Sequence, residues 1–139
     1  MRPAVTGIIE TALYVVDLQR STSFYTDILG FPEIMREEGR LHALGVAEKQ
    51  VLLLFAVGRS TRPTETTGGR IPAHDGRGEL HVAFSIAATD VQAWRDSLCA
   101  AGISIESEVD CPGGGHSIYF RDPDGHAVEL ITPGCWKVY

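Results

Sequence analysis

The sequence lacks a long apolar run, a basic surplus and closely spaced cysteines. No stretch approaches the roughly 18 apolar residues that a membrane-spanning helix needs. The net charge is −6, with 12 Lys and Arg against 18 Asp and Glu, so the basic footprint of a nucleic-acid-binding protein is missing. We therefore expect neither a nucleic acid nor a membrane as a partner.

The number and spacing of the cysteines indicate the redox state of the cellular compartment. Cys99, Cys111 and Cys135 form no C-x-x-C pair. An odd number of scattered thiols is typical of a reducing environment. The first residues also lack the apolar stretch of a signal peptide. We expect a cytoplasmic protein whose cysteines stay unpaired.

The first part of the chain predicts a strand, a helix and three strands. Residues 7–16 alternate and are rich in β-formers. Asp17 is a good N-cap for a helix from Leu18 to Leu29, and Gly30 is a typical residue to end it. Three short strands follow, near 32–37, 40–46 and 50–56. Residues 58–77 are rich in Gly, Thr, Arg and Pro without periodicity, and we interpret them as a linker or a loop over a site.

The same order of elements then repeats. A strand over 78–86 precedes Thr89-x-x-Gln92, which has the pattern of a capping box for a helix ending near Ala101, before Gly102. The last three strands are predicted near 103–109, 116–121 and 126–132. We predict an α+β fold, in which two βαβββ modules form a cupped, partly closed mixed sheet with the helices outside. The predicted organisation is one domain over 1–139, with modules at 7–57 and 78–133.

The repeat aligns particular residues of the two modules. Glu10 and His81 precede the glycine that ends the next helix by nearly the same distance, so they occupy equivalent places on the first strand of each module. By the same alignment, Leu53 is the counterpart of Glu129 on the last strand. Three of these four equivalent positions therefore carry side chains of the kind that bind metals.

His81 and Glu129 interrupt apolar strands. Strand alternation places both on the face opposite the apolar core residues, together with Ser117 and Tyr119 of the penultimate strand. Pairing of the last two strands through a short turn predicts Tyr119 opposite Glu129. His116 follows three glycines at the mouth of its strand, from where it can reach a ligand. An isolated Glu or His is also common on a solvated strand face, but a bound ion would explain why three such residues coincide.

The remaining histidines carry weaker signals. His126 ends a tight turn, and we expect it to face solvent. His74 lies in the loop that we interpret as a cover for a site. His42 has no supporting pattern.

Four segments together resemble the vicinal oxygen chelate superfamily, also called glyoxalase/bleomycin resistance/dioxygenase proteins. They are Leu13–Leu18, Phe24–Phe31, Leu80–Phe84 and Ser117–Leu130. The resemblance spans roughly residues 7–133. It implies paired βαβββ modules, a homodimer, and a divalent metal ion bound through Glu10, His81 and Glu129.

Departures from the family pattern narrow the range of activities that we expect. The fourth ligand position of glyoxalase I falls on Leu53, which cannot coordinate a metal. Ser117, Tyr119 and Glu129 match the strand pattern of fosfomycin-resistance thiol transferases, but the expected phosphonate-binding Arg is missing after Glu129. Extradiol dioxygenases normally use two His and one carboxylate, whereas Glu10 makes this set one His and two carboxylates.

One imidazole and two carboxylates leave open positions on an octahedral ion, and they fit Mn, Fe, Ni, Zn or Mg. A small substrate with two adjacent oxygens would chelate there, Glu129 or Glu10 would serve as general base, and Tyr119, Ser117 and His116 would contact the substrate. The sequence thus predicts a metal-dependent glyoxalase-like enzyme: a lyase, isomerase, thiol transferase or dioxygenase. The alternative is a metal-free small-molecule binding protein like those of the bleomycin-resistance branch.

Overall fold

A computed structural model describes all 139 residues, and the chain divides into two compact units, Met1–Arg77 and Gly78–Tyr139. Each unit contains one βαβββ module. No helix of the structure has both the length and the apolar character required to cross a membrane.

The first unit contains one helix and a four-stranded mixed sheet. Its main elements are β1 Glu10–Val15, α1 Leu18–Leu29, β2 Glu33–Glu37, β3 Leu41–Val46 and β4 Gln50–Ala56. A separate hairpin follows, formed by β5 Thr64–Thr66 and β6 Gly69–Ile71. The strand order is β1-β4-β3-β2, with β1 parallel to β4 and the other pairs antiparallel. Alternate residues of β1 and β4, among them Leu13, Leu52 and Leu54, form the buried core.

Helix α1 begins and ends where the sequence predicts. The Asp17 carboxylate accepts a 3.0 Å hydrogen bond from the backbone N–H of Arg20, and so satisfies a donor that the first turn leaves unpaired. Gly30 adopts φ +72° and donates its N–H to the carbonyl of Thr26. Tyr25 is fully buried between these caps.

The second unit repeats this topology. Its elements are β7 His81–Ser85, α2 Val91–Ala100, β8 Ser107–Asp110, β9 His116–Arg121 and β10 Ala127–Ile131. The order is β7-β10-β9-β8, and again the first and last strands are parallel. The core residues of β9 and β10 alternate as predicted, with Ile118, Phe120, Val128 and Leu130 buried. The predicted α+β class with two βαβββ modules is confirmed.

The structure departs from the sequence-based description at two places. The capping box at Thr89 does not form, because Ala88–Asp90 makes a 3₁₀ turn and Asp90 precedes α2 without a side-chain capping bond. Residues 58–77, predicted as a linker or a loop over a site, have secondary structure of their own. They contain a hairpin of β5 Thr64–Thr66 and β6 Gly69–Ile71 and belong to the first compact unit.

The expectation of three unpaired cysteines was wrong. Cys111 and Cys135 form a disulfide that links the turn before β9 to the tail after β10, and only Cys99 is free. The two segments lie in close backbone contact, since a Cβ on Gly113 would stand 2.2 Å from the carbonyl oxygen of Gly134. That approach requires glycine, and it brings together two cysteines that are 24 residues apart.

Candidate functional site

The strand register of each sheet supports the equivalence of Leu53 and Glu129 that the repeat predicts. In the second unit, Glu129 on β10 lies beside Ala83, two residues after His81. In the first unit, Leu53 on β4 lies beside Ala12, two residues after Glu10. The same backbone arrangement therefore presents a carboxylate in one unit and an isobutyl group in the other.

His81 and Glu129 come together in the second unit. The Nε2 atom of His81 is 3.2 Å from Oε2 of Glu129. The carboxylate is 8% exposed at its side chain, whereas the imidazole is 54% exposed. Burying a carboxylate without partners is costly, so the surroundings of Glu129 decide what it can do.

Two hydroxyl groups satisfy the other oxygen of Glu129. Ser117 donates to Oε1 at 2.5 Å, and Tyr119 donates to the same atom at 2.8 Å. Tyr119 lies directly opposite Glu129 in the β9–β10 pair, as predicted. Burial raises the pKa of Tyr119, and its hydrogen bond to Glu129 raises it further, so the phenol stays protonated and remains a donor.

The orientation of the imidazole is fixed from its other side. Nδ1 of His81 is 3.0 Å from the carbonyl oxygen of Ala127, which accepts only if Nδ1 carries the proton. That tautomer leaves a lone pair on Nε2, the atom facing Oε2 of Glu129. An imidazole held by a carbonyl and a carboxylate held by hydroxyls are the supports that metal ligands usually have. The two donor atoms therefore fit a divalent cation.

Glu10 lies in the other unit, at the exposed start of β1. With Leu53, it lines a cavity of about 920 Å³ formed by first-unit residues. The structure contains no group of three His, Cys, Asp or Glu side chains arranged to hold a metal ion. Glu10 as the third ligand stays a prediction.

His116 lies apart from the other residues predicted to contact the substrate. It follows the alternation of Ile118 and Phe120, so it occupies the opposite face of β9 from Ser117 and Tyr119. Its Nδ1 is 2.7 Å from Asp110, and its Nε2 is 3.3 Å from Arg95 of α2. His116 therefore belongs to an ion-pair network between helix and sheet.

Two histidines that carried little signal are structural. His126 was predicted to face solvent, but it is fully buried, and its Nδ1 accepts a 2.8 Å bond from the backbone N–H of Leu80. His42 is also buried, 2.7 Å from the hydroxyl of Thr22. A histidine after a tight turn looks exposed in the sequence, because the pattern does not reveal the neighbouring strand that it bonds.

Sequence reasoning missed a polar pair in the first-unit cavity. The hydroxyl of Tyr14 on β1 lies 2.7 Å from Nδ1 of His74. Tyr14 shares the strand face of Glu10, a signal that was available, whereas no periodicity places His74 beside it.

Comparison with known proteins agrees with this architecture. The family model described as "Glyoxalase/Bleomycin resistance protein/Dioxygenase superfamily" matches residues 7–130. The lactoylglutathione lyase of Haemophilus influenzae is 30% identical over 128 residues, covering 89% of this chain and 90% of that protein. The glutathione transferase FosA of Serratia marcescens is 30% identical over 118 residues, covering 85% and 74%.

A solved structure extends the similarity to three dimensions. The crystal structure of lactoylglutathione lyase from Agrobacterium tumefaciens superimposes with a TM-score of 0.88 at 32% identity, covering 97% of this chain and 99% of that one. Since the family match spans both βαβββ modules, the chain belongs to the glyoxalase/bleomycin resistance protein/dioxygenase superfamily.

Proposed function

We propose that the protein is a metal-dependent enzyme acting on a small substrate with two adjacent oxygens. One observation carries the proposal: Nε2 of His81 and Oε2 of Glu129 converge at 3.2 Å while hydrogen bonds hold their other polar atoms. Any buried carboxylate needs hydrogen-bond partners, but the convergence of an imidazole nitrogen on its second oxygen goes beyond that need. Nε2 of His81 and Oε2 of Glu129 are held in place, and the imidazole is exposed. This arrangement is suited to a cation that also binds a substrate.

His81 and Glu129 would hold the ion, with Glu10 as the proposed third ligand. When bound, a divalent ion supplies a Lewis acid for the adjacent oxygens of the substrate. Ser117 and Tyr119 act through Glu129, since their hydroxyls already donate to its Oε1. Both are therefore positioning residues in this proposal.

The general base is proposed to be Glu10. Glu129 is buried and accepts two hydrogen bonds on one oxygen, so moving it toward a substrate proton would break both. Glu10 is exposed at the start of its strand and carries no such bonds. A carboxylate that can change its position suits proton transfer better than one held in place.

The reaction class is proposed to be lyase, isomerase, thiol transferase or dioxygenase chemistry, with fewer protein ligands on the metal than in a four-ligand glyoxalase I site. Relatives of this chain include a lactoylglutathione lyase and a glutathione transferase. Leu53 stands where a fourth ligand would be, so the proposed donor set is smaller.

Metal titration of untagged protein tests the proposal. After treatment with a chelator, the protein is titrated with Mn²⁺, Ni²⁺, Zn²⁺, Fe²⁺ and Mg²⁺, and bound metal is measured by elemental analysis. We expect one ion per chain, and loss of stoichiometric binding in His81→Ala and Glu129→Gln. His116→Gln is the matched control, because it removes an imidazole from the opposite face of the same sheet and should bind normally.

Two outcomes contradict the proposal. Wild-type protein that binds none of these ions would favour the metal-free binding protein. Equal metal binding by wild type and His81→Ala would exclude His81 as a ligand. Glu10→Gln tests the third ligand separately, with weaker binding expected.

A further inference from the structure

The first-unit cavity has the size and composition of a small-molecule site. Its volume of about 920 Å³ lies within the range of about 300–1,000 Å³ that is usual for ligand pockets. Much of its wall is apolar, including Met35, Leu53 and Ile71. One part is aromatic, where the Tyr14 and Phe55 rings stack with centroids 5.8 Å apart.

His74 is held firmly at this aromatic wall. Its backbone N–H donates to the carbonyl of Ser60 at 2.9 Å, and the next residue, Asp75, accepts from the N–H of Gly58 at 3.0 Å. The imidazole meets the Phe55 ring edge-on, with centroids 4.4 Å apart. Gly76 packs so closely on Tyr14 that a Cβ would stand 2.3 Å from its ring. The loop therefore fixes where the imidazole lies.

Tyr14 contacts one of the two ring nitrogens of His74. Burial raises the pKa of Tyr14, and the Asp75 carboxylate raises it further, so the phenol is protonated at neutral pH. Its hydroxyl is 2.7 Å from Nδ1 and can donate to it. In that tautomer Nε2 carries the proton of His74, and no protein group accepts it. An N–H donor with no protein acceptor at the wall of a partly apolar cavity is suited to recognising a ligand oxygen.

The charges around the cavity oppose an anionic ligand. Arg40 is the only Lys or Arg among the lining residues, and Glu37 binds its guanidinium through two bonds of 2.7 and 2.5 Å. The same guanidinium lies over the Phe55 ring at 5.7 Å. Glu10 adds a carboxylate. No unpaired cation is left for a carboxylate or phosphonate of a ligand.

We propose that this cavity binds a neutral, flat, apolar compound, and that Nε2–H of His74 donates a hydrogen bond to a carbonyl or hydroxyl oxygen of that compound. Tyr14 is the positioning residue that keeps the proton on Nε2. The identification of this compound as the enzyme's substrate rests on the proposed function. Binding of the compound in the cavity is independent of the proposed function, because it can be measured on metal-free protein.

The probe is 2-hydroxyacetophenone, a neutral aromatic ketone with adjacent oxygens. It is titrated into ¹⁵N-labelled, metal-free, full-length protein while the histidine ring signals are followed by NMR. We expect His74 to show the Nε2–H tautomer before the probe is added, and its Nε2 signal to shift on binding. Hydroxyacetone, which lacks the ring, and phenylglyoxylate, which is an anion, should both bind more weakly.

Variants separate recognition from loop packing. His74→Phe keeps a ring beside Phe55 but loses the donor, and we expect its affinity for the probe to fall about tenfold, as for one lost hydrogen bond. His74→Gln keeps an N–H donor and should recover part of the affinity. Tyr14→Phe should change the tautomer of His74 and also weaken probe binding, whereas a purely structural pair would leave the probe affinity unchanged.

The outcomes are independent of those of the metal titration. Equal probe binding by wild type and His74→Phe, an unchanged His74 signal, or preference for phenylglyoxylate would each overturn the inference. His74→Phe should bind metal like wild type. A protein that bound the probe through His74 but no metal would therefore retain this inference and lose the proposed function.

Discussion

At the residue scale, Glu129 is a buried carboxylate whose two oxygens have different surroundings. Ser117 and Tyr119 hold Oε1, and His81 faces Oε2. Strand alternation and the pairing of β9 with β10 predict that Ser117 and Tyr119 share the face of Glu129, because both depend on backbone geometry alone, whereas His81 was identified through the repeat. The equivalent residue Leu53 has the same backbone surroundings and none of this chemistry.

The support given by Tyr119 predicts a measurable effect on metal affinity. Tyr119→Phe removes one of the two donors to Oε1 and frees Glu129 to rotate, so we expect metal binding to weaken by about tenfold or more. Competition with a fluorescent chelator measures this change. Tyr139→Phe removes a hydroxyl of the same unit that bonds only backbone carbonyls, and it serves as the control. Unchanged affinity in Tyr119→Phe would show that Ser117 alone positions the carboxylate.

Residue-scale prediction failed where the partner came from an element distant in sequence. His126 looked exposed because it follows a turn, yet it receives a bond from Leu80, 46 residues earlier. His74 meets Tyr14 across 60 residues. Periodicity describes the direction of a side chain relative to its own strand, and it carries no information about what a separate segment brings to that face.

At the element scale, the strands and α1 were predicted to within a few residues because their signals are local. β4 and β9 have the bounds expected, and α1 is fixed by Asp17 and Gly30. The hairpin in 58–77 was missed because each of its two strands has only three residues, which is too few to show an alternating pattern. The capping box at Thr89 has the right residue types, but a 3₁₀ turn occupies those positions.

The disulfide ties two elements of the second unit and should stabilise it. Cys111 and Cys135 close a loop with a separation of 24 residues, which restricts the unfolded chain. We expect the Cys111→Ser/Cys135→Ser double variant to lose about 3 kcal/mol of unfolding free energy in urea titrations. Cys99→Ser is the control, since that thiol is exposed and free.

The bond itself needs direct verification. Peptide mass mapping without reductant should recover the Cys111–Cys135 peptide pair from wild type. Wild-type protein whose stability did not change on adding a reductant, or a double variant as stable as Cys99→Ser, would contradict a stabilising role.

At the scale of the whole molecule, surface arginines form a series of carboxylate pairs. Glu33 binds Arg36, Glu37 binds Arg40, Glu106 binds Arg121 and Glu108 binds Arg95. In each case the hydrogen bond from arginine is the main cause that lowers the pKa of the glutamate below its usual 4.5. The chain has 18 Asp and Glu residues, so acid titration changes many carboxyl groups together.

These pairs predict loss of stability in acid. A carboxyl whose pKa is lower in the folded protein binds fewer protons there than in the unfolded chain, so its contribution is present above pH 4.5 and is lost as the pH falls through the lowered value. We expect the urea concentration at the midpoint of unfolding to stay constant between pH 7 and pH 5 and to fall steadily from pH 4.5 toward pH 3. The Glu37→Gln/Glu108→Gln variant should start lower and show a shallower fall, because two of the titrating groups are gone. High salt should weaken the same contribution at pH 7, since these pairs are exposed to solvent. A wild-type midpoint that stayed constant from pH 5 to pH 3 would mean that the pairs form equally in the unfolded chain.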